Sequence, residues 1–144
     1  MFGAAFLVAA APLFATCGDA VLGPEPEMLV VLEAVGPEWG YHGRISAATG
    51  RPTVLGWDGH ELQWRGGQPE AYNEISPRRD AVDTIYTTSD VAQARQLLSQ
   101  YEVAYVFIGS LETAYPMNGL AKFAQLGTLV FEAEGVRIYQ LPAQ

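Results

Sequence analysis

Residues 103–109 read VAYVFIG. The run is apolar from Val103 to Ile108, its members are β-branched or aromatic apart from Ala104, and Gly109 closes it. That composition predicts a central strand covered on both faces, with Val106 and Phe107 facing opposite layers. Immediately upstream, from Ser89 to Tyr101, Val91, Ala94, Leu97, Leu98 and Tyr101 recur at helical spacing. Ser89 or Asp90 can cap that helix, with Gln93 reaching back if Asp90 is the cap. Val82, Ile85 and Tyr86 mark one face of another helix over Asp80 to Tyr86.

Downstream, Asn118 is placed to cap a short helix through Leu120, Phe123 and Leu126, stopped by Gly127. The terminal TLVFEAEGVRIYQL contains two strand-like runs joined by Ala133, Glu134 and Gly135, which predicts an antiparallel hairpin at the edge of the sheet. Toward the amino terminus, Leu29 to Val35 is a short apolar run ended by Gly36 and Pro37, read as a strand. Arg44 to Thr49 has room for one or two helical turns, and the TGRP turn leads into a brief strand at Thr53 to Gly56. Strand, helix, strand, helices, strand, helix and hairpin in that order predict an α/β fold, a three-layer sandwich with a mixed sheet and a C-terminal antiparallel hairpin.

With 144 residues, 49% of them hydrophobic, the chain has enough sequence for one such domain. Eight Lys or Arg against sixteen Asp or Glu give a net charge of −8, the reverse of a nucleic-acid binder's footprint. Cys17 is the single cysteine, so neither a disulfide within the chain nor a cysteine-based zinc site is expected. The first 18 residues, MFGAAFLVAAAPLFATCG, carry no charged side chain. As a helix, Phe2 to Cys17 would reach roughly 24 Å, short of a hydrocarbon core of about 30 Å. Three readings fit it: the remnant of a membrane helix from a longer protein, a signal sequence without a basic start, or a core helix interrupted by Pro12. The expected organisation is an apolar segment over 1–23, a stiff charged connector over 24–28, and a single α/β domain over 29–144.

Candidate chemistry gathers in GWDGHELQWRGG, residues 56–67. Trp57, His60, Glu61 and Trp64 stand at i, i+3, i+4 and i+7, so a helix would give them one face. Asp58 and Glu61 have capping-box spacing, with Trp57 and Leu62 around it as a hydrophobic staple. HELQW has a tryptophan where a zincin needs its second histidine, and no metal or other cofactor is expected, although His42 and His60 are available to a carboxylate-assisted site. His60 with Glu61 is the weak candidate for general acid/base work. Arg44, Arg51, Arg65, Arg78 and Arg79 place five of the eight cations around this segment, where they can pair with Asp58, Glu61, Glu70 and Glu74 or grip a phosphate or sugar carboxylate while Trp57 and Trp64 stack on sugar faces.

The stretch EAVGPEWGYHGRISAATGRPTVLGWDGHELQWRGG, followed by RRDAVDTIYTTSD, YEVAYVFIGSLETAYP, LAKF and VRIYQL, resembles the C-terminal soluble domain of the polytopic, glycosyltransferase-C-like membrane proteins called YYY membrane proteins. The resemblance covers about Leu29 to Leu141. More distantly, the order of motifs is similar to the extracytoplasmic domain of oligosaccharyltransferase catalytic subunits. It implies a membrane-associated module on the extracytoplasmic face, non-catalytic on its own, that positions a sugar acceptor or a polyprenyl-phosphate sugar, with no nucleic-acid partner. In that family the domain follows many membrane helices, in whose place this chain has only Phe2 to Cys17. The competing expectation is a free-standing α/β hydrolase using His60 and Glu61.

Overall fold

The structure is a computed structural model that describes residues 28–143. The apolar segment 1–23, and the connector apart from Met28, lie outside the described residues. Strand β1 (Val30–Leu32) is followed by helices α1 (Arg44–Thr49), α2 (Asp58–Trp64), α3 (Pro69–Thr87) and α4 (Val91–Gln100), strand β2 (Val103–Ile108), short helices α5 (Met117–Ala121) and α6 (Phe123–Leu126), and strands β3 (Thr128–Ala133) and β4 (Val136–Gln140). The strands form one mixed sheet in the order β1-β2-β4-β3, with β1 parallel to β2 and the other pairs antiparallel. The fold is therefore α/β with a C-terminal hairpin. Among the described residues no helix is long and apolar enough to cross a membrane.

The VAYVFI run is the interior strand β2, and its alternation divides the packing. Val106 and Ile108 enter the main core with Leu32, Ile85, Leu98, Phe123 and Tyr139, while Phe107 points the other way and is still buried. On that opposite side the guanidinium of Arg44 lies 5.0 Å over the Phe107 ring, which ties the start of α1 to the sheet. From α3, the buried Tyr86 hydroxyl lies 3.1 Å from the Leu32 carbonyl and 2.8 Å from that of Phe107, pinning the two parallel strands to one helix.

Four local expectations are corrected. Thr53 to Gly56 makes no continuous ladder: only Thr53 bridges Val31 and only Trp57 bridges Gly36. The reason is that neighbouring Val54 and Leu55 both enter the core, which a pleated strand cannot arrange. The helix expected over Asp80 to Tyr86 is α3 and begins at Pro69, with Pro at its first position and Pro77 inside it. Asp58 does not cap α2; Trp57 holds that position without a side-chain bond, and Asp58 is the first helical residue, accepting from the Gly59 N–H and pairing with Arg79 of α3. Asn118 lies inside α5, which Pro116 precedes, and the expected single helix is broken in two at Lys122. Of the two proposed caps for α4, Asp90 is the one used, accepting from the N–H groups of Ala92 and Gln93, while the Gln93 side chain turns to the Thr88 hydroxyl.

Candidate functional site

The parallel strands β1 and β2 and the segment 53–57 all end at one pole of the sheet, the place where open α/β sheets characteristically hold ligands. There the loop after β1, GPEWGYHG, faces α2 across a cavity of about 360 Å³, at the small end of the ligand-pocket range of roughly 300–1,000 Å³. Two glycines make this approach possible. A Cβ on Gly36 would lie 2.3 Å from the His42 ring, so only glycine lets His42 fold back over the exit of β1. A Cβ on Gly59 would meet the Glu38 carboxyl, so only glycine leaves room for that side chain along the first turn of α2.

His60 sits at the centre of an aromatic cluster. Its ring is 5.0 Å from Trp39 and 5.0 Å from Trp57, both in edge-to-face geometry, and stacks on Trp64 at 5.2 Å. Trp57, His60 and Trp64 line the cavity together with Tyr41, His42, Arg44, Thr53 and Glu61. Four buried side-chain atoms of these lining residues have no hydrogen-bond partner: His42 Nδ1, Thr53 Oγ1, Trp57 Nε1 and His60 Nδ1. Their residues line the same cavity, but the atoms themselves have no accessible surface, so they sit behind its wall rather than facing it.

Behind the cavity lies a carboxylate pair that the sequence reading passed over. Glu112 is wholly buried; it accepts from the Ala34 N–H at 2.9 Å, the Gly109 N–H at 2.8 Å and Arg44 Nη2 at 2.8 Å. Glu33, also wholly buried, accepts from the Ile45 and Ser46 N–H groups of α1, each at 2.9 Å. Burial pushes the Glu33 carboxyl above the usual carboxylate range, against the opposing pull of those two N–H groups and of Arg44. Arg44 is therefore anchored beside two carboxyls, and the electrostatic balance at this wall is not positive.

The structure brings Arg44, Trp57, His60, Glu61 and Trp64 to one cavity and distributes the other arginines elsewhere. Arg65 pairs with Glu61 at 3.3 Å and Glu74 at 2.6 Å, and Arg79 with Asp58. Arg78 donates to the Val54 carbonyl at 3.3 Å with its guanidinium 5.3 Å over Tyr101, and Arg51 is exposed at the turn after α1. Arg65 and Arg78 line a separate depression with Glu74 and Ile75. His60 and Glu61 are adjacent on α2; the Glu61 carboxylate is engaged by Arg65, and among the described residues no hydrogen bond joins His60 to a carboxylate. No group of three or more His, Cys, Asp or Glu suited to a metal occurs among the described residues.

Sequence reasoning missed Trp39, Thr53, Glu33 and Glu112 as members of this region. Glu33 left a signal, a lone charge inside the apolar VVLEAV run; Glu112 and Thr53 left none, because only the tertiary contact gives them a partner or a cavity to face. Comparison of the chain with protein-family models, curated proteins and solved structures finds no match.

Proposed function

We propose that this domain is a sugar-positioning module, the extracytoplasmic, non-catalytic part of a glycosyltransferase-C-like membrane protein, and that the cavity between the 36–43 loop and α2 holds a neutral sugar of the acceptor. The observation that carries the reading is the set of aromatic rings of Trp57, His60 and Trp64 gathered on the wall of one cavity. A pyranose has an apolar C–H face that packs on indole and a rim of hydroxyls that both donate and accept. It thus suits a cavity walled by aromatic rings with Tyr41, Ser46 and Glu61 among its polar lining residues. An anionic group is less favoured, since Arg44 is engaged by Glu112 and Arg65 by Glu61 and Glu74. This argues for a neutral acceptor sugar over a polyprenyl-phosphate sugar. The extracytoplasmic location and the membrane partner rest on the sequence resemblance alone.

Titration of the ¹⁵N-labelled protein with glucose, galactose, mannose and N-acetylglucosamine tests the reading. Saturable shifts of the Trp57 and Trp64 indole N–H signals are expected. Trp64→Ala, at a position 74% exposed and so dispensable for folding, should weaken binding about five- to tenfold, the equivalent of about 1 kcal/mol of aromatic contact. Tighter binding of a polyprenyl-phosphate mimic than of every neutral sugar would overturn the choice of ligand, and the absence of any saccharide binding would overturn the function.

A further inference from the structure

Trp39 is not a wall of the cavity. Its ring meets His60 at 5.0 Å and Trp57 at 6.0 Å, two residues that do line the cavity, and 84% of the residue's surface is exposed. It is also one of three non-glycine residues with positive φ among the described residues, at 63°, a conformation that costs a bulky side chain on the order of 1 kcal/mol. Core packing does not account for it: a strained backbone here displays a large aromatic face to water instead of burying it. Glu38, the preceding residue, lies against Gly59 at the first turn of α2. Trp64 and Tyr41, 74% and 80% exposed, stand at the same cavity and extend the aromatic surface outward from it.

We infer that the ligand is an oligosaccharide, with one sugar in the cavity and the next packed on the outward face of Trp39. This rests on the sugar reading above and adds a second subsite to it. An exposed indole face beside a cavity walled by aromatic rings matches a chain of pyranoses, each of which presents one apolar face and keeps its hydroxyls in water. The surrounding carboxylates of Glu38 and Glu61 and a chain net charge of −8 make the same surface a poor match for an anionic membrane.

The test is isothermal titration of the full chain with the mono-, di- and trisaccharides of mannose and of N-acetylglucosamine. In the unaltered protein the disaccharide of the preferred sugar should bind roughly tenfold more tightly than the monosaccharide. Trp39→Ala should abolish that gain, read as the ratio of disaccharide to monosaccharide affinity within the same variant, and Trp39→Phe should restore part of it. Monosaccharide binding with no gain on lengthening the chain would overturn the second subsite and leave the sugar reading standing. A gain that survives Trp39→Ala would do the same. Trp39-dependent binding to phosphatidylcholine vesicles without any dependence on saccharide length would make this a membrane contact and overturn the inference. No binding of any saccharide would remove both readings together.

Discussion

Lys122, at the junction of α5 and α6, is 2% exposed; its ammonium donates to the Gly119 carbonyl and lies 4.4 Å over the Phe123 ring. Loss of hydration favours the neutral amine and lowers its pKa to about 8 from 10.5. Between those values the unfolded chain binds more protons than the folded one, so this group makes stability rise as pH climbs from about 8 to 10.5. Lys122→Met should remove that increment, checked by urea titration of both proteins at pH 7.5 and pH 10; parallel behaviour of the two would show that Lys122 does not titrate in this window. Glu33 acts with the opposite sign. Its raised pKa means that the folded state holds the proton where the unfolded state has lost it, so its contribution falls as pH rises above 4.5 through the raised value.

At the scale of elements, the hairpin and α3 show how local chemistry and packing divide the work. Glu134 and Gly135 have φ of 50° and 77°, and Ala133 pairs directly with Val136, the signature of a two-residue type I′ turn that suits the right-handed twist of β3 and β4. Gly135→Ala should cost about 1 kcal/mol in chemical denaturation, because an L side chain is strained at that φ, and a neutral result would mean that the turn relaxes to another type. Helix α3 spans 19 residues with an exposed Pro77 inside it, which forfeits the N–H bond to the Asn73 carbonyl. It persists because Ala71, Ile75, Val82, Ile85 and Tyr86 are all buried along it, so tertiary packing outweighs what the proline removes.

At the scale of the molecule, one continuous cluster among the described residues joins β1, β2, β4 and helices α3, α4, α5 and α6. Because the sequence sets the apolar Phe2–Cys17 run apart from the domain by the 24–28 connector, a chain beginning at residue 25 should unfold cooperatively with a midpoint within about 4 °C of the full chain's, less than ~1 kcal/mol shifts a domain of this size. A larger fall in a calorimetric scan would mean that the first 24 residues contribute to the packed domain. Among the described residues the edge strand β3 is exposed throughout, with Leu129, Val130 and Phe131 each more than two-fifths open, so that the sheet's edge away from β1 is an apolar strand with no described strand beyond it.

The sequence alone determined what depends on neighbours along the chain. The unbroken apolar run of β2, the Arg44–Thr49 turns bounded by glycine, a cap of α4 at Ser89 or Asp90 and the hairpin around Glu134 and Gly135 are all local choices of propensity, period and turn chemistry. The α/β class follows from their order. Where two neighbours both had to enter the core, as at Val54 and Leu55, or where a proline had to be tolerated, as at Pro77, local rules failed because packing decided. The site divides in the same way. The spacing of Trp57, His60 and Trp64 on one helical face was legible, since it is set within α2. Which arginines would be engaged, that Glu112 would anchor Arg44 across 68 positions of the chain, and that Trp39 would close on His60 were decided only by the tertiary structure. Ion pairs and ring contacts between distant segments exist only once the sheet has brought its strand ends to one pole.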